Sequence, residues 1–295
     1  MIKMKSPRLK HLLLAVFLTL FLTAGTGFSQ APGKEAVVID GFEITASISG
    51  TPLKDAYRDY FLIGVGLNGN NIATDTLNSR AMTEIIKYHF NSVTYSNLMK
   101  PSYLLDQEGS IANLKAGNPE PAVKFDTVIK GLEFCKANGV KMRGHVLVWH
   151  TQTPAWFFRE GYSDFGKYVD RETMLLRLES YIRQVLEFTQ KEYPGVIYAW
   201  DVVNEAVEDT AGHYETESGF NIRTKFNRVY DNPWYVAVGI DYVEKAFAFA
   251  RKYAAPGVKL FYNDYNAVVP EKREKIVRLL RSLLDRGIPV HGMGM

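Results

Sequence analysis

Two stretches, VKMRGHVLVW (140–149) and VIYAWDVVNEA (196–206), decide how this chain folds. Each is an apolar β-type run that ends in polar groups. Between them, near 171–193, Leu175, Leu178, Ile182, Val185 and Leu186 share one helical face at a period of 3.6, and Asp170 stands where an N-cap is needed. The order is therefore strand, helix, strand.

The same rhythm extends in both directions. Upstream come YFLIGVGL (60–67), a helix near 78–89, FNSVTYS (90–96) and a helix near 122–138. Downstream come a helix near 233–254, VKLFYN (258–263), a helix opened by Pro270 and closed by Gly287, and a last strand around IPVHGMGM (288–295). About six βα-type strands result. A doubly wound sheet and a (β/α)8 barrel both fit such alternation. The first needs a phosphate-cradling turn after its first strand, and GVGLNGNN (64–71) does not supply GxGxxG opening a helix. Polar residues instead gather at the C-terminal ends of several strands: Asn97, His145 with Trp149, Asn204 with Glu205, and Asn263 with Asp264. A TIM barrel brings such ends into one site, so the expected fold is α/β, a (β/α)8 barrel with about six of its eight units in these residues.

Composition bounds the rest. With 295 residues, 46% hydrophobic and 23% charged, the chain is globular in type. Residues 1–30 hold Lys3, Lys5, Arg8 and Lys10, then an apolar run from Leu12 to Ala24, which reads as a signal peptide and implies a secreted or periplasmic protein. The formal charge of +3 falls to −1 without those four cations, since residues 1–30 contain no Asp or Glu. No basic field for nucleic acid remains, and no membrane association is expected after cleavage. Residues 31–58 read as an N-terminal arm and 59–295 as one catalytic domain, expected to act as a monomer. Cys135 is the only cysteine and shares an apolar stripe with Phe125, Val128, Ile129 and Leu132, so it reads as a buried helix residue.

Among the polar clusters, Glu205 carries the most chemistry. A carboxyl following the apolar strand VIYAW is partly desolvated, which raises its pKa and suits a general acid. Amide, imidazole and indole groups around it match hydroxyl-rich ligands and sugar faces. His145 and His150 are five residues apart, an odd spacing that directs them to opposite faces of an extended strand; no metal and no cofactor are expected. Of the large aromatics Trp156, Trp200, Trp234, Tyr262 and Tyr265, Trp200 is assigned to the core.

GHVLVWHTQTPAW (144–156), WDVVNEA (200–206) and LFYNDYN (260–266), in this order, together with FNSVTYSNLMK (90–100), resemble glycoside hydrolase family 10, whose members are mainly endo-1,4-β-xylanases. The resemblance runs from about Tyr60 to Met295. It implies a retaining xylanase acting on xylan or xylo-oligosaccharide, with Glu205 as acid/base and Asn204 on the 2-hydroxyl of the reacting sugar. It also implies sugar binding by Asn97, Lys100, His145, Trp149 and Gln152 on the non-reducing side of the cut, with Asn263 and Tyr265 farther along the cleft. Ser96 stands where the family pattern usually has a glutamate. The nucleophilic Glu of the family is expected beyond residue 295, and the competing expectation is an inactive fragment or a non-catalytic xylan-binding protein.

Overall fold

A computed structural model of the chain describes residues 36–39, 42–45, 50–209, 222–226 and 230–295. The leader expected over 1–30 and the first residues of the arm lie outside them. Ala36–Ile39 and Phe42–Thr45 pair as an antiparallel hairpin, Ala36 opposite Thr45 and Ile39 opposite Phe42, in a unit separate from Ser47–Met295.

The larger unit is built on six parallel strands: β1 Gly64–Leu67, β2 Ser92–Tyr95, β3 Lys141–Trp149, β4 Ile197–Asn204, β5 Lys259–Asn263 and β6 Gly292–Gly294. Their order in the sheet is β6-β5-β4-β3-β2-β1, each pair parallel. Spatial order thus follows chain order without a reversal. A doubly wound sheet reverses direction at its switch point, whereas consecutive strands of a (β/α)8 barrel lie side by side around it. The sheet has the barrel order. Helices α1 Arg80–His89, α2 Asp126–Asn138, α3 Arg171–Glu192, α4 Tyr242–Tyr253 and α5 Pro270–Asp285 make the successive crossovers.

Local chemistry sets the helix ends. The Asp170 carboxylate accepts from the Thr173 N–H at 2.8 Å, as its position predicts, and Ser79 caps α1 by accepting from Met82 N–H at 3.3 Å. Pro270 opens α5, and Gly287, at φ +76°, follows its last turn. On α3, Met174, Leu178, Tyr181, Ile182, Val185 and Leu186 are buried, and each aliphatic side chain among them contributes about 1.5–3 kcal/mol.

Several sequence expectations need correction. The helix near 233–254 is two helices, Pro233–Val238 and α4, because Gly239 adopts φ +100° and turns the chain between them. The helix near 122–138 begins only at Asp126, since Ala122–Val123 pairs antiparallel with Leu105–Asp106. The strand expected from Tyr60 starts at Gly64; Tyr60, Phe61 and Leu62 precede it and are exposed. Cys135 is buried as expected, but Ile129, read into the same stripe, sits at its exposed edge.

Alternation along the strands separates two faces. Asp201, His145 and Arg143 meet on one face of the sheet; Trp200 lies on the other, directly over Gly144 of the neighbouring strand. Trp200 is therefore core, as assigned. Tyr95 likewise packs over Gly131 of α2 and donates its hydroxyl to buried Asp75 at 2.8 Å. A Cβ at residue 144 would stand 2.2 Å from the indole ring. Gly144→Ala should consequently lower stability by about 1–3 kcal/mol through overpacking, read as the change in unfolding free energy by chemical denaturation; an unchanged midpoint would contradict this packing.

Candidate active site

Glu205 follows β4 directly, at φ +54°, a left-handed conformation that non-glycine residues hold only when surrounding structure enforces it, at about 1–3 kcal/mol. Its N–H donates to the Asn263 carbonyl of β5 at 2.8 Å. Its carboxyl takes two neutral donors: Trp149 Nε1 to Oε2 at 3.1 Å, and Asn204 Nδ2 to Oε1 at 3.1 Å. Asn204 is fixed in turn, its Oδ1 accepting from Asn263 Nδ2 at 2.7 Å. Burial pushes the Glu205 pKa up, and the nearby Asp264 charge adds to this; the Trp149 and Asn204 hydrogen bonds and the Arg223 charge oppose it without cancelling it. The carboxyl is thus biased toward its protonated form.

A polar cluster adjoins Glu205 on the β2–β3 side. Lys100 Nζ lies 4.5 Å from the centre of a Trp149 ring and donates to Asn97 Oδ1 at 3.0 Å and Gln152 Oε1 at 2.6 Å. Asn97 continues the chain by donating to Asn70 Oδ1 at 2.8 Å. Burial lowers the Lys100 pKa, and the Glu205 charge works against that. Ser96 donates to Asn68 Oδ1 at 2.9 Å, a neutral pair at the position where the family resemblance expects a carboxylate.

His145 is placed differently. Its Nδ1 faces Asp201 Oδ2 at 2.9 Å, and the other oxygen of Asp201 accepts from Arg143 Nε at 2.9 Å. With its proton on Nδ1, a neutral His145 leaves Nε2 as an acceptor. His145, Asp201, Arg143, Asn263, Thr94 and Ser96 border a recess of about 310 Å³ on this face of the sheet. His150 lies beyond the end of β3 and is buried, which pushes its pKa down to about 3. Parity counting between the two histidines does not hold, because β3 carries one extra residue between His145, opposite Asp201, and Val148, opposite Val203.

On the β5 side, Tyr265 does not touch Glu205 directly. Its hydroxyl donates to Asp209 and meets Arg223 Nη2 at 3.4 Å, while the ring, 40% exposed, stacks 3.8 Å from Lys272 Nζ. Lys272, fully buried, pairs with Asp264 at 2.7 Å and Asp209 at 2.5 Å. Burial raises the Asp209 pKa, but hydrogen bonds from Lys272 and Tyr265 outweigh it and leave it lowered.

Eight of the nine residues singled out from sequence are thus linked in one region: Glu205, Asn204, Asn263 and Trp149 directly, Lys100, Asn97 and Gln152 through Trp149, and Tyr265 through Arg223. His145 joins through the shared recess with Asn263. Sequence reasoning missed Asp201, Arg143, Arg223, Asp209 and Lys272. A charge inside the apolar run VIYAWDVV, and an arginine two residues before His145 on the same strand face, were available signals for the first two. Arg223 and Lys272 carried none.

Two outcomes test this electrostatic picture. Trp149→Phe removes a donor that lowers the Glu205 pKa, so the carboxyl should titrate higher in the variant, followed by ¹³C NMR of the glutamate side chain; a lower midpoint would contradict the geometry. Burial also sets a sign for stability. The folded pKa of Glu205 lies above its unfolded value of about 4.3, so its contribution is complete below that pH and is lost as pH rises through the folded value. Glu205→Gln, neutral throughout, should gain thermal stability relative to wild type between pH 4 and pH 7; a gap that narrows with rising pH would be inconsistent with a buried acid.

Comparison with known proteins identifies relatives of the chain. Endo-1,4-beta-xylanase B of Butyrivibrio fibrisolvens is 46% identical over 244 residues, covering 82% of this chain and 35% of that protein. A putative endo-1,4-beta-xylanase of Caldicellulosiruptor saccharolyticus is 50% identical over 197 residues, covering 67% and 57% respectively. Among solved structures, the Clostridium thermocellum xylanase 10B CBM22-1-GH10 modules complexed with xylohexaose match with a TM-score of 0.74 and 38% identity, over 84% of this chain and 46% of that one. The chain therefore spans about a third to somewhat over half the length of these proteins. Residues 52–295 match the family described as Glycosyl hydrolase family 10, and with the sequential parallel strands and the Glu205 site in place, the chain belongs to that family.

Proposed function

We propose that the protein is an endo-1,4-β-xylanase that cleaves β-1,4-xylosidic bonds in xylan and xylo-oligosaccharides with retention of configuration, Glu205 serving as acid/base. The observation that carries this reading is a carboxyl at the end of a buried strand, biased toward its acid form yet held in direction by two neutral donors. Such a group can protonate a glycosidic oxygen as the leaving sugar departs.

Retention needs a second carboxylate about 5–5.5 Å away to attack the anomeric carbon. Asp201 is engaged with Arg143 and His145, and Asp264 with Lys272 and Tyr262. Both are taken up by these contacts, and neither is assigned as the nucleophile. Once the glycosyl ester forms, Glu205 ionises and activates water for the second displacement. Asn97, Lys100, Gln152, Trp149 and His145 supply hydrogen-bonding groups and one indole face to the sugars on the non-reducing side. The xylanase names of the relatives and the xylohexaose complex of the solved neighbour support xylan as the substrate. The basic and then apolar character of residues 1–30 supports export, which N-terminal sequencing of protein recovered from the culture medium or periplasm would test.

In the full-length protein, Glu205→Gln should cut hydrolysis of unactivated xylan by about 10²–10⁴-fold while xylo-oligosaccharide affinity changes little, measured by reducing-sugar release and calorimetry. Hydrolysis at the wild-type rate would remove Glu205 from the role. Proton NMR of the earliest product should show the β-anomer; α-anomer first would rule out retention.

A further inference from the structure

Residue 223 holds three successive backbone carbonyls at the turn that carries Glu205. The Arg223 main-chain N–H donates to Ala206 O at 2.6 Å, the guanidinium Nε to Glu205 O at 3.1 Å, and Nη2 to Val207 O at 3.2 Å. Carbonyls 205, 206 and 207 are thus all taken up by one residue that lies 16 to 18 positions away in sequence. Arg223 is itself nearly buried, at 7% exposure, and is immobilised from several sides. Its guanidinium meets the Glu208 carboxylate at 3.4 Å, Asp209 at 3.5 Å and the Tyr265 hydroxyl at 3.4 Å, and its own carbonyl accepts from Asn232 Nδ2 at 2.7 Å. An isolated antiparallel bridge between Val207 and Ile222 closes the segment.

This arrangement coincides with the left-handed backbone at Glu205. A glutamate reverts readily from φ +54° to the ordinary right-handed or extended regions unless its peptide groups are held on both sides. The Asn263 carbonyl holds the N–H side, and Arg223 holds the C=O side. Rotation of either peptide would swing the carboxyl away from Trp149 Nε1 and Asn204 Nδ2.

We propose that Arg223 is a positioning residue for the acid/base: its guanidinium locks the left-handed turn at Glu205 and so fixes the direction in which the catalytic carboxyl points. The proposal rests on the acid/base reading given above. It separates from a simpler role, neutralising Glu208 and Asp209, because only the planar fork spans the carbonyls of residues 205 and 207 together. A lysine would keep the charge, but its donors all radiate from one nitrogen and lack the spread of the fork.

The test uses Arg223→Lys and Arg223→Met in the full-length protein, with the ¹H–¹⁵N signals of the tryptophan indoles as reporter. The Trp149 indole N–H, assigned by Trp149→Phe, follows Glu205 through their hydrogen bond, and Trp200, on the opposite sheet face, serves as the reference. In both variants the Trp149 signal should move and its pH midpoint should shift from wild type, with Trp200 unchanged. Turnover on xylo-oligosaccharides should fall at least about ten-fold with KM within about two-fold, as expected when a reacting group is misdirected. The titratable groups facing this turn are Asp264, Lys100 and Arg223 around Glu205, and Glu208, Asp209 and the neutral Tyr265 around Arg223. A folded Arg223→Lys with the wild-type Trp149 signal, midpoint and turnover would overturn the proposal. So would loss of the native circular-dichroism spectrum in both variants, which would make Arg223 a residue of the fold. If Trp149 responds as stated while Glu205→Gln still hydrolyses xylan, the clamp stands and the acid/base reading falls.

Discussion

A parallel pair of strands obliges the chain to return across the outside of the sheet before each new strand begins, and the site depends on that constraint. Every strand in β1 to β6 then ends on the same side, and every segment that follows a strand opens there. Asn97 after β2, Trp149 at the end of β3, Glu205 after β4 and Asn263 at the end of β5 are separated by up to 166 positions yet belong to one rim. The hydrogen bonds from Trp149 and Asn204 to Glu205, and from Asn263 to Asn204, record how closely those ends meet.

Charge is distributed on this rim with a clear division. Asp201, Glu208, Asp209 and Asp264 each contact a cation: Arg143, Arg223 or Lys272. Glu205 alone in this group is held by neutral donors, an indole N–H and a carboxamide. A cation in direct contact would favour the carboxylate and lower the pKa further, whereas neutral donors orient the group while burial raises its pKa. The surrounding ion pairs serve a different end. Pairs such as Lys272 with Asp264 add little net stability because desolvation offsets the attraction, but removing one partner strands the other. They define where Tyr265 and the segment from Val207 to Asp209 sit.

The two sides of the sheet also divide labour through strand alternation. Trp200 and Tyr95 use the helix-facing or opposite side, where Gly144 and Gly131 leave room for whole rings. Their neighbours Asp201, Thr94 and Ser96 border the recess. A substitution at a glycine of the outer layer therefore reaches the site only by shifting a strand, while a substitution on the inner side changes the site directly.

The amino-acid sequence by itself determined the alternation of strands and helices, the N-cap at Asp170 and the helix start at Pro270, and the burial of Trp200 and Cys135, because these depend on neighbours within one or two turns. It also marked Asn97, Trp149, Asn204, Glu205 and Asn263, since polar residues ending apolar strands are visible in one dimension, whereas Lys100 was singled out only by the family resemblance. The helix near 233–254 was misread because a backbone turn at Gly239 outweighs the apolar period on either side. Only the tertiary structure decided what holds Glu205. Arg223 and Lys272 lie on a loop and a helix where arginine and lysine are ordinary surface residues, and nothing local distinguishes them. Their roles arise from where the crossover connections deliver them, since a guanidinium finds three carbonyls, and an ammonium two buried carboxylates, only after distant segments have packed.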